Sequence, residues 1–373
     1  MDGVRGAEPR SVVVVRALPG VGDFLCAVPA LRALRRAAPG ARLTLIGLPS
    51  VSGLVEAFAP LIDELLPFPG YPGIPEVPLN REDLERFLRD ARERRFDLAV
   101  QMHGNGSAMN GFLLELGARE VLGYRMPCAP AHPGLAPYDP GLPEVSRWVR
   151  LVSGAEGGTG ERVRYPVARS DREEARRLLE AAGLGPGGYA CLHPGAAAAE
   201  RRWAPEGFVR VAEEVVAAGV GVALTGTAEE APACEAVVGA ARVPVADLCA
   251  STSLGVLAAV LQGARLVVCN DTGVAHLAAA VEAPTVVVYT GASDPRRWAP
   301  AGSVRAVLPR DEARPRDETV PERDPELPAA CGGLPCPILA DRPRPPGRVP
   351  VRAVLAEVRD ALSDRPRGRP HVA

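Results

Sequence analysis

The sequence contains no lysine, so all 43 of its basic residues are arginine. Asparagine and glutamine are also scarce, while Ala, Gly, Pro and Arg crowd the chain. This is the composition of a GC-rich coding bias, so an arginine where a lysine is usual carries little information by itself. An excess of one charge is missing too: 43 basic residues stand against 45 acidic ones, a net charge of −2. That excludes the basic field a nucleic-acid partner requires and any large acidic tail. No run of roughly 18 apolar residues occurs, so no transmembrane helix is expected. Met1–Arg10 is polar and lacks the apolar core of a secretory leader. There is no HExxH, no acidic metal cluster and no GxSxG, which argues against a zinc hydrolase and a serine-hydrolase elbow.

What is present suits a globular protein. At roughly 150 residues per domain, 373 residues suggest two domains, and 47% hydrophobic with 24% charged residues can fill two cores. The eight cysteines are scattered, mostly inside apolar runs such as Leu266–Cys269. They are read as buried free thiols in a reducing compartment, hence a cytoplasmic placement. Cys331 and Cys336 have no histidine or second cysteine pair nearby, so a metal site there is disfavoured.

Strand and helix patterns alternate along the chain, which argues for parallel sheets covered on both faces. Ser11–Arg16 is a β-branched run, followed by the turn Leu18–Gly22 and a helical pattern at Leu25, Val28, Leu31 and Leu34. Arg42–Gly47 and Phe96–Gln101 are the next strands, with a charged helix at 81–95 between them. Residues 124–147, rich in Pro and Gly, are expected to be loop. A second α/β block follows a junction near 150–185. Its strands are Tyr189–Leu192, Val220–Thr225, Leu266–Cys269 and Thr285–Tyr289, and its helices are 172–182, 205–218, one carrying Glu229 and Glu230, and one ending at Ala280. Residues 309–348, crowded with Pro, Arg, Asp and Glu, are expected to form a mobile loop before a final helix within 349–363.

Three Gly-containing turns fall at the C-terminal ends of expected strands, the edge where open α/β sheets bind ligands. The first is Gly20-Val-Gly22-Asp23. It is not a dinucleotide fingerprint, because Leu25 stands where the third glycine belongs, and no Gly-Lys-Ser/Thr makes it a P-loop. Asp23 is either a helix cap or a general base beside a cleft. The second is His193-Pro-Gly195-Ala196-Ala197, followed by Arg201-Arg-Trp203. Its backbone amides and an arginine can bind a phosphate, or it is a plain loop with solvated arginines. The third is Asn270-Asp271-Thr272-Gly273-Val-Ala-His276. A hydroxyl, a glycine and a histidine one turn on favour an anion site, against a capping Asp271 and an interior His276.

Together these stretches resemble glycosyltransferase family 9, the bacterial heptosyltransferases of lipopolysaccharide inner-core synthesis. The resemblance starts with Val13–Leu34, a strand, a Gly-Asp loop and a helix carrying Pro29-Ala-Leu31. It continues with the strand end Phe96–Gly104, the Gly117–Gly123 turn and His193-Pro-Gly195 with Arg201-Arg-Trp203. It ends with Leu224–Glu230, Asn270–His276, Tyr289-Thr-Gly291 and Asp294-Pro295. The matches keep the family's order from about residue 12 to 300.

The resemblance implies a GT-B architecture, two Rossmann-like domains facing across a cleft, here 11–168 for the acceptor and 169–308 for the nucleotide-sugar donor. It implies a metal-independent, inverting transfer with no cofactor, ADP-heptose as the default donor, and a glycan or lipid-linked saccharide as acceptor. A lipid-linked acceptor would bring peripheral contact with a membrane. Asp23 matches the family's catalytic base and Arg201 its donor-phosphate lysine. Glu229 matches its nucleotide-side glutamate, with Glu230 the near alternative. Thr252 falls where the base pocket is lined. Asp271, Thr272, Gly273 and His276 match the donor diphosphate and sugar motif. Gly22, Gly195 and Ala196 match its loop backbone, and His103 and Asn105 fall on the acceptor side. Two other readings stay open: a nucleotide-sugar epimerase of the same fold, and a non-catalytic nucleotide-sugar binder, the latter because Ala196 and Ala197 replace the usual hydroxyl residues.

Overall fold

In the computed structural model, residues 8–154, 162–309 and 347–364 are described. Most of the expected 309–348 loop, including Cys331 and Cys336, lies outside them. The described residues form two compact units, one from 8–154 and one from 162–309 with 347–364.

The first unit holds strands β1 (Ser11–Val15), β2 (Arg42–Gly47), β3 (Glu64–Pro67), β4 (Leu98–Gln101), β5 (Glu120–Arg125) and β6 (Leu135–Pro137). Its helices are α1 (Val21–Ala37), α2 (Ser52–Ala57), α3 (Arg81–Glu93), α4 (Met109–Glu115) and α5 (Glu144–Ser153). The sheet is parallel throughout, in the order β3-β2-β1-β4-β5-β6. Val12–Val15 is buried on both faces, which is why that strand is an unbroken β-branched run rather than an alternating one. Helix α1 buries Leu25, Val28, Leu31 and Leu34 and continues through Pro29, which contributes no N–H to the helix ladder.

The second unit holds β7 (Tyr189–His193), β8 (Gly221–Leu224), β9 (Ala246–Asp247), β10 (Leu266–Asn270), β11 (Thr285–Val288) and β12 (Val304–Val307). Its helices are α6 (Arg169–Ala181), α7 (Pro205–Ala217), α8 (Ala231–Ala240), α9 (Leu254–Gly263), α10 (Gly273–Ala280), α11 (Pro295–Trp298) and α12 (Val351–Ser363). This sheet is also parallel, in the order β12-β11-β10-β7-β8-β9. Helix α12 seals its core: Val354 and Val358 pack among Phe208, Val211 and Val286, and the Trp203 indole N–H donates to the Val349 carbonyl at 3.1 Å.

Three stretches differ from the sequence expectation. Residues 124–147 are not all loop, since they include the end of β5, all of β6 and the start of α5. Pro137 sits in β6, an edge strand with no further strand to receive its missing N–H, and Pro143 caps the start of α5. Strand β4 starts at Leu98 rather than Phe96, and just before it the Asp97 carboxylate accepts the Arg10 and Ser11 amides at 2.9 and 3.2 Å. The Gly117–Gly123 turn is confined to its first residues, where Gly117 takes a positive φ of 71°, and Glu120 onward is strand β5.

Candidate functional site

The two sheets share one winding. In each, the chain builds outward from the first strand on one side, then returns to the other side of that same strand. The reversals fall between β1 and β4 and between β7 and β10. Loops leaving neighbouring strands diverge at such points and open a crevice at the strands' C-terminal ends. The residues singled out in the sequence lie largely on these loops.

In the first unit, Asp23 is the third residue of α1. The N-cap is Gly20, which has no side-chain cap, so Asp23 does not hold the N-cap position. Its carboxylate folds back over Gly20, where any Cβ would collide with it. An acid in the first turn is favoured by the helix dipole. Gly22 is buried beside it in that turn. Asp23 remains 28% exposed at its side chain, and its Oδ1 lies 3.8 Å from Nη2 of Arg16. Arg16 itself is buried, with four fixing contacts. Its Nε donates to the Asp23 carbonyl at 2.9 Å, its Nη1 donates to the Met102 carbonyl, and its guanidinium lies 5.4 Å from the centre of the buried Trp148 ring. The ion pair with Asp23 is the fourth.

After β4, His103 Nε2 stands 3.9 Å from the Glu76 carboxylate, while His103 Nδ1 and Glu76 Oε2 are buried without a hydrogen-bond partner. Burial, then the nearby Arg16 charge, lowers the His103 pKa to about 4, so the ring is neutral near pH 7. Asn105 uses its side-chain oxygen locally, accepting the Ser107 amide at 3.0 Å.

In the second unit, the two loops at the reversal are tied by Asn270. Its amide donates to the Pro194 and Gly195 carbonyls at 2.8 and 3.2 Å, and its oxygen accepts the Trp203 amide at 3.0 Å. Ala196 is buried, and its carbonyl accepts from Arg202 Nε at 2.7 Å. Arg201 closes the short 3₁₀ turn Ala199–Arg201, keeps its head partly exposed, and acts electrostatically on Asp271. Asp271 is buried. Burial raises its pKa, against a hydrogen bond from the Ser293 hydroxyl and the Arg201 charge.

Thr272, not Asp271, is the N-cap of α10. Its hydroxyl makes no capping bond, and the first turn of α10 contains no acidic residue. The amides of Gly273 and Val274 therefore head a helix with no acidic side chain in its first turn. His276 shares that face one turn on. It keeps an exposed edge, but burial of most of its ring lowers its pKa to about 4.

The Thr227–Glu230 turn separates the two candidate glutamates. Glu229 and Glu230 lie on the 3₁₀ turn Ala228–Glu230 rather than in a helix, with α8 starting at Ala231. Glu229 is exposed. Glu230 is buried, accepts the Thr227 amide at 2.8 Å and lies 3.3 Å from His193 Nε2, whose Nδ1 meets the Thr225 hydroxyl at 3.1 Å. Burial alone would raise Glu230. The His193 contact, with the Thr227 amide and hydroxyl, outweighs it and takes the pKa down to about 2. A Cβ on Gly195 would run into this carboxyl, so the glycine serves packing here. Thr252 is half-buried, just before Ser253, which caps α9 by accepting the Val256 amide at 3.2 Å.

Sequence reasoning did not single out Arg16, Trp148 and Glu76 around Asp23, nor the tethering by Asn270, the His193–Glu230 pair or Ser293. Arg16 and Asn270 carried a signal, because each sits where a β-branched run meets a Gly turn. Glu76 and Trp148 carried none, being distant in sequence from the groups they serve.

A family model described as glycosyltransferase family 9 (heptosyltransferase) matches residues 84–322. The chain belongs to glycosyltransferase family 9. It is 28% identical over 112 residues to lipooligosaccharide heptosyltransferase 2 of Haemophilus influenzae, a match that spans 29% of this chain and 32% of that relative. A family 9 glycosyl transferase from Veillonella parvula superposes with a TM-score of 0.74 at 19% identity, over 95% of this chain and 97% of that one. The Escherichia coli ADP-heptose heptosyltransferase II gives 0.62 at 20% identity, over 80% and 90%. The two parallel sheets are thus those of the GT-B fold. Among the described residues, no helix is long and apolar enough to cross a membrane, and no group of three His, Cys, Asp or Glu side chains is placed to hold a metal ion.

Proposed function

We propose that this family 9 chain transfers a heptose-like sugar from a nucleotide diphosphate donor to a hydroxyl of a glycan or lipid-linked saccharide. The donor lies on the unit covering 169–308 and the acceptor on the unit covering 11–168. ADP-heptose is the default donor, after the E. coli structural relative named for it. The observation that carries the reading is the start of α10 at the β7–β10 reversal, with a Thr272 hydroxyl that makes no cap, no acid in the first turn and Arg201 beside Asp271.

In the transfer, the Asp23 carboxylate takes the acceptor hydroxyl's proton, and the oxygen attacks the anomeric carbon. The bond to the diphosphate breaks with inversion, and negative charge grows on the leaving phosphate. Arg201, the Thr272 hydroxyl and the Gly273 and Ala196 amides take up that charge without a metal, as preorganised donors do at a developing anion. His276, neutral at working pH, faces the sugar. Glu229 is the exposed carboxylate available to the nucleoside, and Glu230 holds the turn from below. Thr252 lines the base, and His103 and Asn105 border the acceptor. A lipid-linked acceptor would place the enzyme at a cytoplasmic membrane face.

Thermal shift with EDTA present tests the donor half, because a ligand of the folded state raises apparent stability by mass action. Stabilisation by ADP or ADP-heptose over UDP, GDP and NAD is the expected result. A preference for UDP or GDP would replace the donor, and a shift with NAD alone would overturn the transferase reading.

A further inference from the structure

The second unit carries a pair of thiols that the transfer does not use. Cys234, in α8, is buried, and Cys249, just after β9, is partly exposed. Both sulfurs approach the same backbone point. A Cβ built on Gly226 would lie 2.7 Å from Cys234 Sγ and 3.1 Å from Cys249 Sγ, so this corner accommodates both sulfurs only because residue 226 has no side chain. Each thiol also holds a carbonyl flanking Gly226, at the start of the turn above it. Cys234 donates to the Thr225 carbonyl at 3.7 Å and Cys249 to the Thr227 carbonyl at 3.4 Å. Burial, followed by a hydrogen bond with Cys249, pushes the Cys234 thiol well up. The turn they support, Gly226–Glu230, carries Glu229 at its tip and Glu230 at its base.

We propose that Cys234 and Cys249 form a dithiol modification site, which a disulfide oxidant converts to an internal disulfide that reshapes the Gly226–Glu230 turn. The partly exposed Cys249 gives up its proton and attacks one sulfur of the oxidant R–S–S–R. A mixed disulfide forms and one R–S⁻ leaves. Cys234 then attacks Cys249 Sγ, the protein disulfide closes, and the second R–S⁻ leaves. Both protein protons end on the two R–SH products, so the protein loses two electrons and the oxidant gains them. Both S–H donors vanish, and the Thr225 and Thr227 carbonyls lose those partners. The effect on donor binding rests on the proposed function, because it needs Glu229 on the nucleotide. The disulfide itself does not.

The test uses the full chain with oxidised glutathione as the oxidant. After alkylation of remaining thiols, peptide mapping should find residues 234 and 249 linked, and dithiothreitol should reverse the link. Hydrogen exchange at the Thr227 amide should accelerate on oxidation, and the ADP dissociation constant should rise about tenfold. The partly exposed C249S variant should abolish all three changes without disturbing the core, and C234S should stop at a Cys249–glutathione mixed disulfide. A link elsewhere, a wild-type chain that stops at the mixed disulfide, or oxidation that leaves Thr227 exchange unchanged overturns the proposal. If the reduced protein fails to bind ADP, the donor-site reading fails, while the mapping and the exchange still decide the thiol pair.

Discussion

The two units are the same winding used for opposite electrostatics. Both sheets reverse beside their first strand, and both place a helix start there. In the first unit that start is occupied by an acid: Asp23 sits in the first turn of α1, with the buried Arg16 against it. In the second, the first turn of α10 has no acid, the cap hydroxyl is unspent, and an arginine stands nearby. A helix N-terminus attracts negative charge in either case. The first unit supplies that charge from its own chain and so presents a carboxylate. The second has no such acid in its first turn, and there the proposed function puts the donor diphosphate. A parallel sheet thus fixes where chemistry happens, and two or three side chains at the reversal fix its sign.

The largest effect should come from breaking the acidic side. Asp23→Asn keeps size and hydrogen bonding but cannot take a proton, so transfer should fall roughly 10²–10⁴-fold, the usual contribution of a positioned base. ADP affinity, read by calorimetry on the same variant, should stay put, since that acid belongs to the other unit. Turnover within a few-fold of the parent would make Asp23 a helix-end acid and nothing more. Next in size is the cationic side. Arg201→Ala removes a charge-assisted contact worth about 1.5–3 kcal/mol, so the ADP dissociation constant should rise roughly 10–100-fold. Arg201→Lys should recover most of it if charge rather than the planar fork matters. An unchanged affinity for Arg201→Ala would remove that side chain from the donor site.

The third test sharpens the contrast between Glu229 and Glu230. Glu230 is bonded to its own unit, so Glu230→Gln should cost about 2 kcal/mol of stability, through loss of the charge opposite His193. Its folded pKa is depressed to about 2 from 4.5. The contribution is therefore fully present above about pH 4.5 and is lost as the pH falls toward 2. Melting curves of parent and variant should differ at pH 7 and converge near pH 2. Glu229→Gln should leave the melting temperature alone and move only nucleotide affinity.

The β-branched runs, the Gly turns and the helical spacing made the central strands of both sheets legible, because each is a local pattern, whereas the strand order and the strands β3, β5, β6, β9 and β12 were not. The Asn270–His276 stretch was legible for the same reason. Residues 124–147 were not, because an edge strand tolerates Pro137 and a helix start tolerates Pro143, so the usual breakers broke nothing there. The choice between Glu229 and Glu230 was also hidden. It depends on His193, 37 positions away, and on which face of a three-residue turn points inward. Arg16 looked like the end of a strand, and its place beside Asp23 depends on the Met102 carbonyl and the buried indole of Trp148, both far away in sequence.

The smallest expected effect tests whether the two units respond alike to mild acid. His103 in the first unit and His276 in the second are both lowered by burial from 6.5 to about 4. The unfolded chain therefore binds more protons than the folded one between about pH 6.5 and 4, and stability must fall as the pH drops through that window. From pH 7.5 to 6, each ring should cost about 0.8 kcal/mol. For domains of this size that is a fall of roughly 2–3 °C in melting temperature per histidine. His103→Gln and His276→Gln should each remove one such increment, and the double variant both, because the rings sit in different units and their effects add. A flat profile in His103→Gln alone would mean that the whole acid response resides in the first unit, and the likeness of the two buried rings would then not extend to their energetics.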